Sequence, residues 1–128
     1  MPPEEPFVPG EWYRLAHRDL DRAERLLDDE DYLGAGIHLQ QAAEKYLKGF
    51  LLSKGWRLRK IHDLAELLSE AVSYLPGLES YRKACQRITR YYVTERYPDA
   101  ENSEPTRQEI EEDLAQVKAV IQLLHQDR

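Results

Sequence analysis

The sequence predicts an all-α protein: an up-and-down four-helix-type bundle with an additional short helix, five helices in all. Three observations predict it. Apolar residues recur every three or four positions in segment after segment, which is the period of one helix face. No segment alternates apolar and polar residues with β-branched enrichment, so no sheet is expected. The breaks between the periodic segments are short and carry proline, glycine or acidic turn residues, which favours antiparallel neighbours.

Taken in order, Pro9-Gly10 is expected to precede a first helix near 11–28, with Ala16, Leu20, Ala23 and Leu27 on its buried face. The acidic run at Asp28–Asp31 separates it from a second helix near 31–53, and Asp31 is placed to cap that helix. Leu39, Ala43, Tyr46 and Phe50 form the second stripe, with Leu47 and Leu51 beside them. Gly55 then supplies the left-handed residue that closes a helix. A third helix near 63–75 carries Leu64, Leu67, Leu68, Ala71 and Leu75. Pro76-Gly77 divides it from a fourth near 77–95, whose stripe is Leu78, Tyr81, Cys85, Ile88 and Tyr92 and which Pro98 ends. Thr106 and Glu109 make a capping box, with Pro105 just outside it, for a fifth helix near 106–126 bearing Ile110, Leu114, Val117, Ile121 and Leu124. Residues 1–10 read as a Pro-rich extension and 11–126 as one domain.

The composition narrows the function classes. No apolar run approaches the roughly 20 residues that span a bilayer, so no membrane association is expected. The N-terminus is acidic and Pro-rich rather than basic and apolar, and Cys85 is the single cysteine. Both features point to a cytoplasmic protein without a disulfide or a cysteine metal cage. Arginine exceeds lysine and Asn102 is the one asparagine, a composition that points weakly to a thermophilic source. A net charge of −6 opposes nucleic-acid binding through bulk charge. Two segments are nevertheless basic: Lys54, Arg57, Arg59 and Lys60, and then Arg82, Lys83, Arg87, Arg90 and Arg96. If they meet in space they form an anion site; otherwise they are solvated faces.

Three local patterns could carry chemistry. Gln40, Glu44 and Lys48 are spaced by four on the second helix and share a face, with Gln41 and Lys45 beside them. His62-Asp63 opens the third helix after the basic loop, and Arg96-Tyr97-Pro98-Asp99 ends the fourth. Each has a plain structural alternative: a surface pair, a helix cap and a turn. Glycine-rich phosphate loops, metal-spaced histidines and a serine elbow are absent, so no metal and no cofactor is expected.

Taken together, "QQAAEKYLKGFL", "KIHDL" and "RYPD", in that order on helices two, three and four, resemble the HEPN family across about residues 11 to 125. The resemblance implies a helical bundle that forms a homodimer. It implies a partner as well, a separate minimal nucleotidyltransferase, often in a toxin–antitoxin pair. It also implies a nucleotide or RNA site drawn from Gln41, Glu44, Lys48, His62, Asp63, Arg90, Arg96, Tyr97 and Asp99. Many members of the family are metal-independent ribonucleases with an R-x4-6-H motif late in the bundle. Here no histidine follows Arg87, Arg90 or Arg96 at that distance. The one match, Arg57 to His62, lies elsewhere, and about one is expected by chance. The H-x-Y tail that some relatives present for adenylylation is missing too. Three readings follow: a non-catalytic nucleotide- or RNA-binding subunit, a ribonuclease using Arg57 and His62, and a purely protein-interacting helical dimer. The first requires Lys48, His62, Arg90, Arg96 and Tyr97 to converge.

Overall fold

A computed structural model describes residues 8–96 and 104–126, with side chains described for 8–93 and 104–126. It contains α1 (Pro9–Asp28), α2 (Tyr32–Ser53), α3 (Leu64–Val72), α4 (Arg82–Arg96) and α5 (Arg107–Gln126), with a 3-10 turn at Pro76–Tyr81 ahead of α4. There is no strand among the described residues. α1 and α2 form a long helical hairpin, and α2 also packs against α3, α4 and α5. The five-helix expectation therefore holds, with α2 as the central element.

The caps behave as the sequence chemistry requires. Asp31 Oδ1 accepts from the Gly34 amide at 2.9 Å. Gly55 adopts φ +88° after α2. Thr106 and Glu109 cap each other's amides at α5, the Glu109 N–H donating to Thr106 Oγ1 at 3.1 Å and the Thr106 N–H to Glu109 Oε1 at 3.4 Å.

Two boundaries differ from expectation for local reasons. Pro9 is the first residue of α1 rather than a residue before it. Its fixed φ suits a first helical position, where no amide hydrogen is needed. The fourth helix starts at Arg82, because Pro76-Gly77 winds the following residues into 3-10 geometry first. That shift rotates the stripe. Ala84, Cys85, Ile88 and Tyr91 are buried, whereas Tyr92 is only partly buried and faces a groove.

The core joins the predicted stripes. α2 supplies apolar residues on most of its circumference, and two glycines let neighbours approach it. A β-carbon at Gly36 would sit 2.8 Å from the Tyr91 ring, and one at Gly49 would sit 2.8 Å from the Tyr13 ring. Cys85 lies in this core, 5% exposed, and burial pushes its thiol from 9.0 to about 12. The thiol is therefore protonated and shielded at neutral pH. Because the folded value is raised, the thiol favours the fold below pH 9.0, and that contribution is lost as pH rises towards about 12. A disulfide reagent should label Cys85 only as fast as the protein opens, and urea midpoints of Cys85→Ala should fall less steeply above pH 9 than those of the parent. Rapid labelling of the native protein would contradict the burial.

Candidate functional site

The site begins with one carboxylate. Glu44 is 5% exposed and sits midway along α2. An ionised carboxylate at that depth is costly unless its lone pairs are filled. They are filled from three directions. Lys48 Nζ donates to Oε2 at 3.1 Å, one turn along the same helix. Gln40 Nε2 donates to Oε1 at 3.0 Å, one turn back. His62 Nδ1 lies 3.1 Å from Oε1 and 3.2 Å from Oε2, reaching in from the loop before α3. Gln40 is saturated as well: its Nε2 also donates to the His62 carbonyl at 3.1 Å, and its Oε1 accepts from Gln41 Nε2 at 2.6 Å. The double glutamine thus pins the α2–α3 loop to α2 through side chain and backbone together.

His62 carries this network to the surface. A carboxylate is an acceptor, so its contact places a ring proton on Nδ1. The ring stacks on Tyr92 of α4, centroids 4.6 Å apart and planes 15° apart. A second carboxylate builds the opposite wall. Asp19 of α1 is 6% exposed; it pairs with Lys45 Nζ and lies 3.1 Å from His38 Nδ1. Between the walls is an open groove of about 460 Å³, lined by Asp19, Ile37, His38, Gln41, Lys45, His62 and Tyr92. Two imidazoles, each with Nδ1 against a buried carboxylate, face one cleft together with an ammonium, an amide and a stacked aromatic pair.

The expected site is thus partly assembled. Gln41 and His62 line the groove, and Glu44 holds His62 from behind. Lys48 does not reach it: its side chain is 1% exposed, bonded to Glu44 and set 5.6 Å from the centre of the Trp12 ring. Asp63 does not hold His62; it caps α3, accepting from the Ala65 amide at 2.9 Å and the Glu66 amide at 3.4 Å. Arg90 turns toward α5, where it pairs with Glu109 and donates to the Tyr91 hydroxyl at 3.3 Å. The hydrogen bonds to Tyr91 and Glu109 hold Arg90 above the ordinary arginine value despite its partial burial, and Arg90 in turn holds Glu109 below the ordinary carboxylate value. Arg57 is exposed on the loop and is not among the groove's lining residues. The side chain of Arg96, and all of Tyr97 and Asp99, lie outside the described residues.

Several cations of the two basic segments are matched by acids. Arg59 pairs with Glu70 at 3.0 Å, Arg82 with Glu79 at 2.7 Å, and Arg87 with the buried Asp113 at 2.8 Å. Nearby acids neutralise these cations. Asp19, Ile37 and His38 are the groove residues that pattern reading passes over, while it sets Lys45 beside the Gln40–Glu44–Lys48 face and Tyr92 in an apolar stripe. Two signals point to them. His38, Gln41 and Lys45 follow a spacing of three and four on α2, and Asp19 interrupts an otherwise apolar stripe on α1.

With this geometry in view, the comparisons define a class: a small helical bundle shared with solved prokaryotic proteins. The chain belongs to the HEPN domain family, whose model matches residues 10–127. It is similar to TT1696 from Thermus thermophilus, with 30% identity over 94% of this chain and 98% of that one and a TM-score of 0.83. It shares its fold with ST0689, an archaeal HEPN homologue, at 24% identity over the same shares of the two chains and a TM-score of 0.75. No functionally curated protein matches it significantly. Among the described residues there is no helix long and apolar enough to cross a membrane and no cluster of three or more metal-ligating side chains.

The Glu44–Lys48 pair gives a test of the scaffold. Removing one partner leaves a buried charge, so Glu44→Ala should cost about 3–5 kcal/mol in denaturant unfolding. The double change Glu44→Leu with Lys48→Met should recover most of that loss, while freeing the His62 ring. Strict additivity of the two single changes would show that the pair is not coupled.

Proposed function

We propose that this HEPN protein is a non-catalytic nucleotide- or RNA-binding subunit that acts with a separate minimal nucleotidyltransferase, as in a toxin–antitoxin type pair. The observation that carries the binding reading is the groove between Asp19–His38 and Glu44–His62, with Tyr92 stacked on His62. Lys45 and the imidazoles offer charge-assisted donors to a phosphate, Gln41 offers an amide to a base or sugar, and the aromatic pair offers a stacking face. The preorganised Nδ1 contacts favour binding, because the rings are already oriented before a ligand arrives. The partnership and a homodimer follow from the family resemblance.

Calorimetric titration of nucleoside monophosphates into the purified chain should give saturable binding. Tyr92→Ala should weaken it about tenfold through lost stacking, with the helical circular-dichroism signal unchanged. Absence of saturable binding would overturn the reading. Light scattering at micromolar concentration should give twice the chain mass, and co-expression with a minimal nucleotidyltransferase should yield a complex.

One observation favours a second reading, a metal-independent ribonuclease. His38 and His62 face the same groove, each with Nδ1 set against a carboxylate, which is the equipment of a general acid and a general base. That pair differs from Arg57 and His62, because Arg57 is not part of the groove. RNA incubated with the protein in EDTA should remain intact if the protein only binds. Cleavage abolished separately by His38→Ala and by His62→Ala would establish the ribonuclease instead.

A further inference from the structure

The charge of the groove is set by its two imidazoles. Asp19 Oδ1 faces His38 Nδ1, and Asp19 Oδ2 accepts from Lys45. Glu44 Oε1 accepts from Gln40 and lies against His62 Nδ1, while Oε2 accepts from Lys48. Every oxygen of the two buried carboxylates therefore meets a donor within the cluster. Two carboxylates meet two ammoniums, so the cluster is neutral while both rings are neutral. It gains one positive charge with each imidazole that is protonated.

The other groups around the rings do not alter that count with pH. Arg22 and Arg25 of α1, and Asp29 at its C-cap, line a neighbouring depression with His38. Arginine and aspartate do not ordinarily titrate near neutrality, so they supply a constant background. Asp63 is spent on the α3 cap, and Tyr92 presents a ring face to His62. Protonation also changes what the rings offer. With Nδ1 set against a carboxylate, the nitrogen left for a ligand is Nε2. Neither Nε2 has a hydrogen-bond partner among the described residues. In a neutral ring that atom carries a lone pair and accepts, whereas in the imidazolium it donates. An oxyanion is repelled by the first form and held by the second. A phosphomonoester brings about two negative charges and three acceptor oxygens. That matches two imidazoliums, and the single charge of a phosphodiester does not.

We propose that the groove is a proton-coupled site for a terminal phosphate. A phosphomonoester binds with its oxygens on His38 Nε2, His62 Nε2 and Lys45 Nζ, and the two imidazoles take up protons from solvent as it binds. The inference deepens the nucleotide-binding reading and rests on it. It assigns the phosphate end rather than the base as the group that is held. It also makes affinity fall as pH rises above about 6, where the phosphate is already largely dianionic.

The test is calorimetric titration of the full chain in two buffers of different ionisation enthalpy. The ligands are adenosine 5′-monophosphate, adenosine, and a dinucleoside monophosphate whose phosphate is a diester. The difference in apparent enthalpy between the buffers counts the protons exchanged. The monophosphate should bind with net proton uptake, and its affinity should fall by up to about tenfold per pH unit for each proton taken up. Adenosine should bind without uptake, and the diester more weakly than the monophosphate. His38→Gln and His62→Gln should each lower the uptake and flatten the pH dependence, with the helical circular-dichroism signal retained. His17→Gln, on the exposed face of α1, should change neither. A monophosphate affinity that ignores pH, or that equals the affinity for adenosine, would overturn the proton-coupled site and leave the groove reading standing. Uptake that survives both histidine changes made together would overturn it too, since the protons would then go elsewhere. Binding of neither adenosine nor the monophosphate would remove both readings.

Discussion

The arrangement of this molecule depends on the buried carboxylate of Glu44. Its depth in the bundle means that ionising it without partners would cost several kcal/mol. The surrounding chain supplies an ammonium, an amide and an imidazole, and each of those groups fixes something else in turn. Lys48 is drawn into the core and against Trp12. Gln40 ties down the His62 carbonyl. His62 is oriented so that its face meets Tyr92 and its edge borders the groove. A single desolvated charge thereby sets the start of α3, the packing of α4 on α2 and the geometry of the cleft. The double glutamine belongs to the same device: Gln41 satisfies the Gln40 carbonyl oxygen, while the Gln40 amide donates to both Glu44 and the loop.

The same device recurs twice. Asp19 is buried on α1 and answered by Lys45 and His38 of α2. Asp113 is 1% exposed on α5 and answered by Arg87 and the Tyr91 hydroxyl of α4, the phenol donating at 2.8 Å. Burial beside that acid pushes Tyr91 up to about 12, so it remains a donor throughout the physiological range. Each buried acid joins neighbouring elements, and each consumes a cation that spacing alone leaves available. Thus Arg87 and Arg90, part of a cluster of charge in the sequence, are matched by Asp113 and Glu109 of α5.

The helices are legible in the sequence because apolar period and cap chemistry are local properties. Ala16 through Leu27 and Leu39 through Leu51 need only counting, and Asp31, Gly55 and Thr106 need only their own preferences. The α4 boundary is less legible, since Pro76-Gly77 signals a break without stating that a 3-10 turn follows. The site is legible where it lies along one helix: Gln40, Glu44 and Lys48 do share a face. Legibility fails where depth matters. Spacing does not distinguish a lysine at the rim from one in the core: the resemblance draws Lys48 into a nucleotide site, whereas its side chain is buried against Trp12. Nor does sequence show pairing across helices: the resemblance draws in Arg90 as well, whereas it meets Glu109. Asp19 is the clue that pattern reading misses. A charged residue inside an apolar stripe implies a buried partner, and that partner's helix face, His38 with Lys45, forms half of the cleft.

The charge balance of the cleft bears on how it would work. Its ammonium shares Asp19 with His38, and His62 shares Glu44 with Lys48, so it offers oriented donors and a stacking face more than net positive potential. A ligand held there alone would gain mainly from hydrogen bonding and stacking, which are short-ranged and specific. That fits a chain whose net charge is −6, since attraction of an anion through bulk charge is not open to it.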